Sequence, residues 1–376
     1  MEIIGPATVV SVAYIDPGNF GANIAAGSAF GLSLLWVVWL SGALAVMYQY
    51  IAGVLGLETG RGLLDHLKKG AGRLWPLYIP VLFAIGLSTD LAEFVGLIIA
   101  FELLTGVPLY IAVLLGSVDV LLLALLDNRK EVYFSAIGSL ASIVGLSFLI
   151  ELVLVRPDIY AVLYYSLVPS LKGGEALYAA SIIGATIMPH ALILHSHMTQ
   201  GMEKRVHRVQ TLYNLVMASA VNAAMQIVAA TALYGDVGVG LSQIPRVLEP
   251  LYGPLAGYVF SIALLSSGLA SSAVSVQAGT LMLERIFTKA PSKPRARLLF
   301  RGINVIPTAL VLEAGLNPLS LLVYTQVVLS LVLPLVLIPL LIYASRYLSK
   351  GLAFAAYAAS SLILFINVLT LVSPLS

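Results

Sequence analysis

The sequence predicts an all-α polytopic membrane protein, and three observations carry that reading. Of 376 residues, 60% are hydrophobic and 10% charged, and the mean hydropathy is +0.99; a soluble domain has about 25% charged residues. The apolar residues fall into stretches of about 20, the length that crosses a bilayer as a helix. The basic residues gather on alternate connections between those stretches. A net charge of +2 gives no sign of a nucleic-acid partner, and the absence of cysteine excludes disulfides, thiolate metal sites and cysteine catalysis. The N-terminus runs into apolar sequence without a basic leader, so it is read as a first span and not as a removable signal.

Eleven spans are expected, at about 4–28, 31–56, 77–101, 107–126, 133–155, 176–200, 210–234, 255–285, 298–313, 318–344 and 351–373. The ninth is the weakest, being short and basic at its start. The charge pattern supports the count. One alternate set of connections holds 17 of the 20 Lys and Arg residues, and the other holds only Arg156, Lys172 and Arg246. One missed helix would scramble the two sets. The excess of positive charge on cytoplasmic loops then puts the N-terminus in the cytoplasm and the C-terminus outside.

The chemistry lies in the first and sixth spans. The first carries Ala13-Tyr14-Ile15-Asp16-Pro17-Gly18-Asn19, and the sixth carries Ala185-Thr186-Ile187-Met188-Pro189-His190. Both read A-x-x-polar-P in mid-span. They stand five helices apart, an odd number, so the second set of helices enters the membrane from the opposite side. Interrupted spans at matching positions of two inverted halves point to a transporter's binding site. Pro17, Gly18 and Pro189 are the expected helix breaks, since proline removes a donor and obstructs the preceding turn. The Ala13 and Ala185 carbonyls lose their helical partners there. Asp16 adds a carboxylate, Asn19 an amide oxygen and Met188 a thioether. Hard cations prefer all-oxygen cages, whereas a thioether suits transition metals. An unpaired carboxylate in a bilayer is costly unless it has a use.

At these residues the sequence resembles the NRAMP family of proton-coupled divalent metal importers. Its two signatures, DPGN in the first span and MPH in the sixth, stand intact. The likeness extends through LLWVVWLSGALAVMYQY and GLETGRGL, STDLAEFVG, DNRKE, VNAAM, LLSSGLASS and TQVVLSLVLPLVLIPL. The resemblance implies the LeuT fold: a single membrane domain with one five-helix repeat over 1–156, its inverted partner over 176–346 and an additional eleventh helix over 351–376. It implies Asp16, Asn19 and Met188 as metal ligands through side chains, Ala13 and Ala185 through carbonyls, and Gln326 approaching the metal in one state. It implies a proton path through Asp16, Asp90, Glu93 and Arg301, with His190 and His195 in coupling or gating. Asp90 and Glu93, at i and i+3, share a helix face, and two carboxylates close together in low dielectric cannot both ionise cheaply.

The expected cargo is Mn²⁺ or Fe²⁺ with H⁺, with Cd²⁺ and Co²⁺ as passengers, carried across the cell membrane by a monomer that has no cofactor and no enzymatic activity. A LeuT-fold symporter of a small organic solute is disfavoured by Asp16, which would repel a carboxylate substrate, and a magnesium-transporting relative by Met188. The sequence departs from the family pattern at Ala191, Thr280 and Val332, outside the ligand set. Asp119 matches a span-four aspartate of the family. His66, His197 and His207 read as loop or span-end residues, and Glu102 and Glu151 as side chains reaching the membrane interface.

Overall fold

The computed structural model describes residues 3–117, 129–236, 240–287 and 292–372, and helix is the only regular structure among them. The first span is two helices, α1 (Pro6–Ala13) and α2 (Pro17–Phe30), followed by α3 (Leu35–Thr59). A short helix, α4 (Leu63–Ala71), leads into α5 (Trp75–Thr105), and α6 (Leu109–Gly116) opens the fourth span. The rest of that span, with Asp119, lies outside the described residues. The fifth span is α7 (Lys130–Val155), and a short α8 (Ile159–Leu167) follows it. The sixth is again two helices, α9 (Glu175–Thr186) and α10 (Pro189–Met198). Then come α11 (Lys204–Ala232), a short α12 (Ile244–Tyr252), α13 (Pro254–Ile286) and α14 (Lys293–Glu313). The tenth span divides into α15 (Pro318–Val332) and α16 (Pro334–Ala344), and α17 (Lys350–Val372) closes the chain.

Eight helical stretches among the described residues are long and apolar enough to cross a bilayer. The other three expected spans are not among these eight. The first is cut into pieces of 8 and 14 residues. Of the fourth only the part up to Ser117 lies within the described residues. The ninth opens on Lys293, Arg295, Arg297 and Arg301. Three short helices also occupy connections that periodicity left as loops. Among them α4 is amphipathic: Leu63, Leu64 and Leu67 are buried, and Lys68 and Lys69 lie in its last turn. Each is too short to span.

The expected start of the seventh span, residue 210, needs correction: α11 begins at Lys204. Its first two turns are polar in sequence, but His207, Gln210 and Thr211 are buried. Packing, and not apolar periodicity, extends the helix there. His207, expected as a loop or span-end residue, lies in the first turn of α11 and is buried.

The two interrupted spans lie at the centre. α2 packs against α9, α11 and α15, α10 against α3 and α13, and α1 against α7, α11 and α13. Glycines let these helices approach closely, as small residues do at membrane helix contacts. A Cβ on Gly184 would lie 1.9 Å from the Gln326 carbonyl oxygen, so α9 and α15 touch backbone to backbone. A Cβ on Gly96 would fall 2.3 Å from the Pro17 ring.

Candidate metal site

Both prolines open a helix. Pro17 and Pro189 are the first residues of α2 and α10, where the missing amide is not needed and the fixed φ suits a helix start. The residues before them, Asp16 and Met188, are extended, with ψ of 171° and 119°, as steric clash with the proline ring requires. The same rule thus places the carboxylate and the thioether at equivalent points of two facing helices. Asp16 also caps its helix: Oδ1 accepts from the Asn19 backbone N–H at 2.6 Å. That is the position where Asp is most useful to a helix N-terminus.

The carbonyls released at the first break are met by side chains. Asn222 of α11 donates to Tyr14 O at 2.6 Å, and Ser267 of α13 donates to Ile15 O at 2.6 Å. Asn23 donates to Asn222 Oδ1 at 3.2 Å. Backbone groups in a membrane must be satisfied within the protein, and these residues meet that demand while leaving Ala13 O and Ala185 O aimed at the centre.

At the centre three oxygens converge on one nitrogen. Asn19 Nδ2 donates to Asp16 Oδ1 at 2.7 Å, to Ala185 O at 2.7 Å and to Ala13 O at 3.4 Å. An electron-poor N–H₂ group takes the place that a cation would take among those acceptors. For Asn19 to offer Oδ1 to a metal, as the sequence leads one to expect, its amide has to turn over. Asp16 Oδ2 has no hydrogen-bond partner among the described residues. Gln326 of α15 closes the side of the site. A Cβ on Gly18 would lie 2.2 Å from its Nε2 and 3.0 Å from Asp16 Oδ2, so only glycine leaves room for it. Asp16, Asn19, Met188 and Gln326 are all fully buried.

Among the described residues no group of three or more His, Asp and Glu side chains is placed to hold a metal. The acceptors drawn together at the break are different in kind, one carboxylate and two backbone carbonyls around one amide, with the buried Met188 at the second break.

The expected relay residues surround this centre in two branches. Glu93 accepts from Ser271 of α13 and lies within electrostatic reach of Asp16 and Asp90. Asp90 turns to α14 instead, with Oδ1 2.9 Å from Arg301 Nη1 and Oδ2 accepting from Asn304 at 2.8 Å. Arg301 also donates to Ser272 and lies over the Phe94 ring at 5.1 Å. The buried guanidinium thus pairs with Asp90, while Glu93 is within electrostatic reach of both. His190 and His195 point to different neighbours. His190 Nδ1 is 3.3 Å from Thr89 Oγ1 on α5, whereas the His195 ring packs 5.2 Å from that of His207 on α11.

A family model described as natural resistance-associated macrophage protein-like, Nramp, matches residues 7–373. The chain belongs to the Nramp family. A relative from Deinococcus radiodurans named as the divalent metal cation transporter MntH is 36% identical over 364 residues, covering 92% of this chain and 82% of that protein. One of the same name from Yersinia pestis is 35% identical over 360 residues, covering 92% and 87%. Among solved structures, a manganese transporter from Eremococcus coleocola superposes with a TM-score of 0.84 at 24% identity, over 97% of this chain and 85% of that one. Mhp1, a nucleobase-cation-symport-1 family transporter, gives 0.65 at 14% identity over 93% and 81%, and MhsT in complex with L-phenylalanine gives 0.61 at 14% over 96% and 98%. These likenesses show the fold, which is the LeuT arrangement.

Within the Nramp fold the three departures from the family pattern lie off the expected ligand set. The Ala191 carbonyl accepts from Gln49 Nε2 at 3.2 Å, and Gln49 in turn accepts from Tyr14 at 2.6 Å. Thr280 returns its hydroxyl to Val276 O in its own helix, and Val332 is half-buried at the end of α15. Glu151 requires a correction. It is buried on α7 with neither carboxylate oxygen hydrogen-bonded among the described residues, not a side chain reaching the interface. Glu102, by contrast, is exposed.

Proposed function

We propose that this chain is a secondary active transporter that imports Mn²⁺ and Fe²⁺ with protons by alternating access. The observation that carries the proposal is the convergence of Asp16, Ala13 O and Ala185 O on one buried point between two interrupted helices, with Met188 at the second break. The names of the relatives, divalent metal cation transporters and a manganese transporter, support the cargo class. Cd²⁺ and Co²⁺ share the same ligand preference and should pass as well. Asp16, Asn19 with its amide reversed, Met188, the two alanine carbonyls and, in one state, Gln326 hold the metal. Protons move through Asp16 and Glu93 toward Asp90 and Arg301, and His190 and His195 act in gating. The inverted units are residues 1–156 and 176–346, with α17 added. The chain works as a monomer in the cell membrane with its N-terminus inside, as the distribution of basic residues supports. The membrane potential adds about 2.3 kcal/mol per charge per 100 mV to inward movement.

The rival reading, symport of an organic solute, is disfavoured by the buried Asp16 carboxylate at the centre, which would repel a carboxylate substrate. The test is Mn²⁺ uptake into proteoliposomes under an inward proton gradient, with Mg²⁺ and Ca²⁺ as competitors. Wild type takes up Mn²⁺, Asp16→Ala abolishes uptake, and Met188→Ala lets Ca²⁺ compete. Absence of Mn²⁺ uptake by wild type refutes the proposal. Discrimination against Ca²⁺ that survives in Met188→Ala removes the thioether from it.

A further inference from the structure

A groove of about 410 Å³ lies on the flank of the bundle, between α3, α11 and α17. That is within the usual range of ligand clefts, about 300–1,000 Å³. Ala43, Met47, Leu212 and Leu352 form its apolar wall, and Arg208 and Tyr50 bring polar atoms to it. The ends of these three helices fix its depth. α3 descends toward the basic-loop end of the bundle, while α11 and α17 rise from it. Lys204 of α11 bridges Glu58 of α3 at 2.8 Å and marks that end. Arg208 is one turn of α11 nearer the bilayer centre than Lys204, about 6 Å. From Tyr50, the apolar wall continues up two turns of α3 to Ala43, about 10 Å. The groove therefore has a cation near its mouth and an apolar channel running along the helix axes into the membrane.

The charges are complementary to one kind of occupant. Lys204 is already taken by Glu58. Arg208 is exposed, no acidic side chain lies within ion-pair distance of it among the described residues, and none lines the groove. A guanidinium at this depth matches a phosphate with its planar fork, and the wall above matches a hydrocarbon chain. Basic pockets between helices on the cytoplasmic side recognise anionic headgroups in this way. We propose that the groove is a binding site for one anionic phospholipid of the basic-loop-side leaflet, with its phosphate on Arg208 and an acyl chain along Met47, Ala43 and Leu212. The site reaches the interior through shared residues. The Tyr50 ring stacks 5.4 Å from that of His207, and Thr211, which also borders the groove, lies 3.1 Å from His207 Nδ1. His207 in turn packs on His195 of α10, so an occupant sits one layer behind the inner half of an interrupted span.

The test is native mass spectrometry of the purified protein in detergent, titrated with phosphatidylglycerol and phosphatidylcholine of identical chains. Wild type retains one phosphatidylglycerol about fivefold more tightly, the equivalent of roughly 1 kcal/mol for one basic side chain at an anionic headgroup. Arg208→Gln brings that preference close to one, Arg208→Lys keeps part of it, and Met47→Trp, which fills the channel, weakens both lipids. The exposure of Arg208 keeps its substitution from threatening the fold. Equal retention of the two lipids by wild type overturns the proposal. So does an unchanged preference in Arg208→Gln, or an equal loss in Arg61→Gln, which would mean a diffuse basic belt. Displacement of the lipid by glycerol phosphate at the same concentration overturns the acyl-chain half of it.

Discussion

Arg301→Met tests whether Asp90 is ionised in the folded protein. The pair is closed at 2.9 Å, with Arg301 3% and Asp90 0% exposed. Removing one member of a buried ion pair leaves the other uncompensated and destabilises by about 3–5 kcal/mol. A typical polar contact between membrane helices is worth about 0.6 kcal/mol, so the two cases are well separated. Methionine keeps an apolar stem against the Phe94 face that Arg301 now covers, so packing loss adds little. Asn304 continues to donate to Asp90, which argues for the lower end, about 3 kcal/mol. Adding Asp90→Asn to Arg301→Met removes the stranded charge without changing shape and should restore all but about 1 kcal/mol. Equilibrium unfolding in mixed detergent–SDS micelles measures both variants. Should Arg301→Met fall within 1 kcal/mol of wild type, or the double variant be no more stable than the single one, Asp90 carries a proton at rest and the ion pair is not what holds α14 to α5.

Other substitutions probe the frame around the break. Gly184→Ala puts a methyl 1.9 Å from the Gln326 carbonyl and 2.8 Å from Ser330 N. The backbones of α9 and α15 must part by about 1–2 Å, at the 1–3 kcal/mol typical of overpacking, so thermal stability falls and Mn²⁺ affinity falls with it. Asn222→Ala strips the donor from Tyr14 O and should destabilise by about 1–3 kcal/mol; a melting temperature unchanged from wild type would show that another donor takes over. Glu58→Gln breaks a bridge whose partners are 61% and 33% exposed, and the change in unfolding free energy should stay under about 1 kcal/mol.

The centre of the site was legible because its residues are conspicuous in apolar sequence. An Asp-Pro and a Met-Pro in mid-span announce the two breaks that open α2 and α10, and the offset of five spans, an odd number, pointed to an inverted second half. The residues that hold the break open were not legible. Asn222, Ser267 and Ser271 are small polar residues of a kind that membrane helices carry for many reasons, and only the packing shows which face they take. A signal did exist for α14. Arg297, Arg301, Asn304 and Thr308 recur at helical spacing, and all four are buried. The basic start of that span is thus the head of a buried polar stripe. The burial of His207, at the start of α11, was not legible because the first turns of that helix are polar in sequence.

The direction in which the chain runs through the two breaks has an electrical consequence. α1 and α9 each end at the site, and an α-helix carries about half a negative charge at its carboxyl end. α2 and α10 each begin there, with about half a positive charge at their amino ends. The Asp16 carboxylate rests on the amino end of α2, which draws off part of its charge, while the carboxyl ends of α1 and α9 supply attraction that belongs to no side chain. On the proposed function, a cation at this point would be drawn by the field of the carboxyl ends of α1 and α9 as well as by Asp16, against the opposing amino ends of α2 and α10, and not gripped by a single acid. Changing the angle between two halves of an interrupted span weakens or strengthens that field without breaking any covalent or capping contact. Affinity for the cargo and the shape of the protein thus become one variable, as a carrier that must release what it binds requires.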